Sequence, residues 1–154
     1  MIRATAPSSP SRGIAAARKD DQIWLGVGSW DNRVPGGLWS SYDAGATWIR
    51  DPVIESASDV AFVPTSTEGE LVLAQSAYED QWSSVVVNPH SPRLLHRALA
   101  STRWEDYSAP PHGQWSELEV CGLLDDSLVV RVDQTIHRRT KQRLWRRLRD
   151  LGFW

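Results

Sequence analysis

Apolar residues along this chain fall in short runs rich in β-branched side chains, cut by clusters of Asp, Gly, Pro and Ser. That spacing predicts strands joined by tight turns rather than helices. "GIAAARKDDQIWLGVGSWDN" holds one run, a charged turn at Lys19-Asp20-Asp21, and a second run from Ile23 to Val27. "SDVAFVPTSTEGELVLAQSAYED" repeats the plan, with Val60 to Val63, a polar turn through Thr65 to Gly69, then Leu71 to Ala74. "SELEVCGLLDDSLVVRVDQ" does so again, turning at Asp125-Asp126 before Leu128 to Val132.

The segments after each second run also correspond. Trp39-Ser40-Ser41 in the first unit matches Trp82-Ser83-Ser84 in the second and Ile136-His137-Arg138 in the third. Trp145 then falls where Trp48 does. Three degenerate units result, about 13–55, 56–108 and 109–154, behind a Pro/Ser-rich leader at 1–12. Each predicts a four-stranded meander, with a period in the range of propeller blades. In the second unit the outer hairpin is either "WSSVVVNPHSPRLLHRAL" or the later "LLHRALASTRWEDY" with Trp104 in the Trp48 role. The first preserves the "WSS" match and is preferred. The basic end, "TIHRRTKQRLWRRLRDLGFW", reads as a hairpin. It also reads as an amphipathic helix with Ile136, Leu144, Leu148 and Leu151 along one face.

One stretch is denser in chemistry than the rest. "SYDAGATW" places Ser41, Asp43, Gly45, Thr47 and Trp48 in the pattern S-x-D-x-G-x-T-W. Short Ser and Asp side chains accept from backbone N–H groups that a tight turn leaves unpaired. Glycine suits a positive φ, and the indole can fold under the turn. The stretch resembles an Asp-box, the hallmark of the BNR-repeat β-propellers of sialidases, sortilin-like receptors and photosystem assembly factors. The resemblance implies an all-β fold of about three four-stranded propeller-type blades, in a single domain over 13–154. It also implies that this hairpin lies on the rim, away from the ligand face, so that it is architecture rather than a catalytic site. On the opposite face it places Trp30, Asp31, Asn32 and Arg33 of the first unit, and Tyr78, Glu79, Asp80 and Trp82 of the second. Aromatics beside carboxylates there are a candidate carbohydrate or protein partner face.

Propellers typically close with about four to eight blades. Three units therefore imply a partial propeller, or half of a six-bladed ring made by two chains head to tail. Charge bears on this. Residues 1–50 carry six basic and four acidic groups, residues 51–126 three and thirteen, and the remainder eight and two, a distribution hidden within a net −2. An acidic middle and a basic end can meet across a subunit boundary. Arg138, Arg139, Lys141, Arg143, Arg146 and Arg147 form a candidate basic interaction patch, but without interleaved aromatics beyond Trp145 nucleic acid is not the expected partner.

Candidate chemistry is sparse. His90, His96, His112 and His137 show no metal-ligand spacing, and Cys121 is alone, so no metal or other cofactor is expected. "LEVCGLL" reads as an apolar strand in which Cys121 is a buried, inert thiol. The sialidase Arg-Ile-Pro signature is missing, and three units do not supply that family's arginine cluster, Tyr–Glu pair and acidic donor. The expectation is thus a non-catalytic structural or interaction module, self-associating or docking into a larger assembly such as a particle. A lectin-like module comes second and a remnant glycosidase third. No secretory leader or membrane-spanning run is visible, so a soluble, cytoplasmic or particle-associated protein is expected.

Overall fold

In the computed structural model, residues 14–28, 36–64, 68–75, 92–113, 116–125, 127–139 and 145–150 are described. They form three four-stranded antiparallel sheets, each built from consecutive strands. The first blade holds β1 (Ile14–Lys19), β2 (Gln22–Val27), β3 (Gly37–Ser41) and β4 (Ile49–Arg50). The second holds β5 (Asp59–Val63), β6 (Glu70–Gln75), β7 (Arg93–Ala98) and β8 (Glu105–Asp106). The third holds β9 (Leu118–Leu124), β10 (Ser127–Val132), β11 (Thr135–Arg139) and β12 (Trp145–Asp150). The molecule is all-β, with no helix among the described residues. The C-terminal segment forms the hairpin β11–β12, which rules out the amphipathic-helix alternative there.

The blades stack through alternate residues, because successive side chains of a strand point to opposite faces. Leu71 and Leu73 of β6 pack with Ala17, Trp24, Leu38, Ile54 and Val60, closing the first seam. Val72 and Ala74, pointing the other way, pack with Leu94, Val120, Val130 and Val132, closing the second. This explains the unbroken apolar run in β6: a sheet covered on both faces has no polar side to present. The first strands of the blades line up beside one another, β1 against β5 and β5 against β9, with no comparable contact between β1 and β9 among the described residues. Among the described residues the three blades therefore form an open stack. We call the face of each blade toward its predecessor leading, and the other trailing.

Half-buried carboxylates pin the seams. Asp51, just past β4, accepts backbone N–H groups of Val53 and Ile54 on one oxygen and the Trp104 indole N–H on the other, at 2.9 Å. Asp59 accepts the N–H of Val60 at 2.8 Å and that of Val120, across the second seam, at 2.6 Å. Burial pushes the Asp59 carboxyl up, against those two bonds, and Glu119 adds to the rise. Gly37 opens β3 with φ 137°, where a Cβ would stand 2.9 Å from the Ile54 carbonyl oxygen.

Register corrects the alignment of the outer hairpins. Ser40 pairs with Ile49 and His96 with Glu105, so the hairpins of the first two blades superpose with Trp104 at the Trp48 position. The second blade thus uses the later hairpin, and Leu95-His96-Arg97, not Trp82-Ser83-Ser84, is the counterpart of Trp39-Ser40-Ser41. In the third blade Arg139 pairs with Trp145. Its turn is one residue shorter, and the triplet is His137-Arg138-Arg139.

Leu73→Ala removes a side chain with no exposure from the first seam. It should cost about 2–5 kcal/mol. Leu148→Ala, 47% exposed, should cost a small fraction of that. Urea unfolding of the two variants measures the difference.

Candidate functional site

The 41–48 hairpin closes on itself. The Ser41 hydroxyl donates to Asp43 Oδ1 at 2.9 Å and accepts the Gly45 N–H at 2.8 Å. Asp43 accepts the Thr47 N–H at 2.8 Å on Oδ1 and the Thr47 hydroxyl at 2.6 Å on Oδ2. Gly45 sits at φ 93° over the Trp48 ring. Ala44 N–H reaches back to the Asp21 carbonyl, tying the hairpin to the turn between β1 and β2. The Ser, Asp and Thr side chains of the motif thus point into the turn rather than toward a ligand. Thr47 holds the Asp43 carboxyl below the usual range, with Ser41 contributing. The corresponding turns of the other blades lack Ser, Asp and Thr at these positions and keep the tryptophan.

Chemistry-bearing side chains do gather at the second seam. Glu70 accepts the Tyr107 hydroxyl at 2.8 Å and lies 3.1 Å from His96 Nδ1. The His96 and Tyr107 rings are 4.1 Å apart, and the Arg139 guanidinium lies 3.7 Å from the Tyr107 ring centre. Burial opposes the Glu70 charge, but the bonds from His96 and Tyr107 and the charges of His96 and Arg139 outweigh it and lower its pKa. Beside this cluster the Trp145 indole donates to the Ser108 carbonyl. An open pocket of about 430 Å³ adjoins it, lined by Pro111, Thr135, His137, Trp145 and Arg147. These contacts join residues distant in sequence, which is why no local motif announced them.

The candidate partner face of Trp30, Asp31, Asn32, Arg33, Tyr78, Glu79, Asp80 and Trp82 lies outside the described residues. So do Lys141 and Arg143 of the basic patch. Within that patch Arg138 pairs with Asp125 at 3.6 Å and Arg139 stacks on Tyr107, whereas Arg146 and Arg147 are exposed. The patch is therefore divided between structural and solvent-facing arginines.

Cys121 is exposed, contrary to the buried thiol expected from the apolar run. Val120 takes the inward position, so its neighbours Glu119 and Cys121 face outward. Desolvation and the Glu119 carboxylate raise the thiol pKa, which disfavours the thiolate a nucleophile needs. Among the described residues no group of His, Cys, Asp and Glu is placed to hold a metal ion. Nor, among them, is any helix long and apolar enough to cross a membrane.

Compared with known protein families the chain matches none, and no curated protein is matched either.

Asp43→Ala removes the acceptor that organises the hairpin and should lower Tm at neutral pH. The lowered pKa fixes the pH dependence: the carboxylate's contribution is present above the ordinary value of 3.8 and is lost as pH falls through the lower folded value. Thermal melts of wild type and variant should converge only in that acid range. A constant difference down to a pH of about 2 would assign the effect to something other than the charge.

Proposed function

We propose that the protein is a non-catalytic interaction module, a rigid stack of propeller-type blades that docks into a larger protein assembly. The observation supporting this most directly is the unequal covering of its sheets. The middle blade is packed on both faces, whereas Ile23, Leu25 and Trp39 on the leading face of the first blade are only half-buried, and no described strand stacks on them. An apolar sheet face of this kind favours a partner. The Asp-box resemblance supports the same reading, since its polar atoms are spent on closing a turn. A lectin-like role is the second reading, favoured by the Trp145 wall of the open pocket beside His137 and Arg147.

The acidic block does not decide the partner. Its described carboxylates divide between the middle blade and the segments on either side of it, and Glu119 and Asp125 of the third blade are paired with Arg131 and Arg138.

Expressed with a tag in its source cells, the full chain should fractionate well above its own 17.3 kDa. Leu25→Asp should shift it toward the monomer while leaving its circular dichroism unchanged. A wild-type chain that runs as a monomer in such extracts contradicts the docking role.

A further inference from the structure

The two seams inside the chain share one construction. The leading face of the later blade rests on the trailing face of the earlier one. A tryptophan at the start of the later blade's outer strand then donates its indole N–H to the segment just past the earlier blade's outer strand. Trp104 reaches Asp51 in the first seam, and Trp145 reaches the Ser108 carbonyl in the second.

The first blade carries the leading half of this construction, and among the described residues nothing supplies the other half. By register Ala16, Ile23, Leu25 and Trp39 correspond to Val60, Leu71, Leu73 and Leu95 of the second blade. The second set is buried, whereas Ala16 is exposed and the other three of the first set are half-buried. Trp48 corresponds to Trp104, yet among the described residues its indole N–H makes no hydrogen bond.

Charge selects the occupant. Exposed Arg18 and Arg50 flank the apolar strip. The other sheet face on which no described strand stacks, the trailing face of the third blade, carries Arg131, Arg138 and Arg146. Glu119 is already paired with Arg131 and Asp125 with Arg138. Arg131 and Arg138 are neutralised in those pairs and Arg146 is not, so a second copy docking head to tail would offer Arg18 and Arg50 no free carboxylate and one further cation, and like charge across an interface is unfavourable. We infer that the leading face of the first blade is an open blade seam for a different polypeptide. That partner presents a β-sheet face that is apolar at its centre and carries carboxylates at the margin, opposite Arg18, Arg50 and the Trp48 N–H. The inference rests on the docking reading above and names the partner's chemistry.

The test uses the full chain, fluorescently labelled, and a probe built to have that chemistry from a second copy. In the probe, Leu25→Asp disables its own leading face, Glu119→Val with Arg131→Leu makes the centre of its trailing face apolar beside Val129 and Ile136, and Arg138→Glu with Arg146→Glu makes the margin acidic. Sedimentation should show a one-to-one complex, at least about ten-fold tighter than with a Leu25→Asp copy that keeps its arginines. Placing Leu25→Asp in the labelled chain should abolish the complex. Circular dichroism checks that every variant is folded. Absence of a complex with the acidic probe overturns the inference, as does wild-type chain assembling with itself through Leu25. The docking reading survives either result if the assembly in source cells persists, and that is measured separately.

Discussion

The fold depends on β6 burying both of its faces. Leu71, Val72, Leu73 and Ala74 are consecutive and fully buried, and they divide between two seams by simple strand alternation. Removing the middle blade would leave the first and third blades as isolated antiparallel sheets, with the apolar faces that pack on it in water. Neither would then have a partner to bury against, and a single sheet with an open apolar face is not a stable unit. The middle blade therefore makes one folding unit of what would otherwise be three marginal ones.

Polar contacts supply geometry more than energy. Asp51 and Asp59 each spend one oxygen on nearby backbone and the other across a seam, so they fix how one blade sits on the next. At the second seam the link runs through Glu70, Tyr107 and Arg139, with the Tyr107 ring between carboxylate and guanidinium. The two ends of the stack differ. The trailing face of the third blade is laced with the Glu119–Arg131 and Asp125–Arg138 pairs, as suits a solvent-facing terminal unit. The leading face of the first blade keeps an apolar centre of half-buried Ile23, Leu25 and Trp39, and the docking proposal rests on that asymmetry.

Much of the fold was legible in the sequence because it is local. Runs such as "IWLGV" and "LVLA", with Asp-rich turns between them, locate the inner strands and the three units. The outer hairpins were harder. Matching "WSS" to "WSS" compares side-chain types, whereas the property shared by the first two blades is turn length, with the tryptophan retained at its end. The Trp104 indole bond to Asp51 accompanies the later hairpin, and that contact spans two blades. Cys121 departs from the expected burial for a related reason: an apolar run does not say which of its alternate residues faces inward. The Glu70–His96–Tyr107–Arg139 cluster was invisible, since its members lie on separate strands or their flanks and only stacking brings them together.

Native-state hydrogen exchange tests the central claim, that three blades form one rigid stack held by the middle one. The amides of Leu71 to Ala74 should be among the slowest in the protein. Core amides of β2 and β10 should exchange with the same opening free energy and the same denaturant dependence, as expected of one cooperative unit. If β2 or β10 opens at markedly lower free energy while β6 stays protected, the blades are separable and the single stack does not exist.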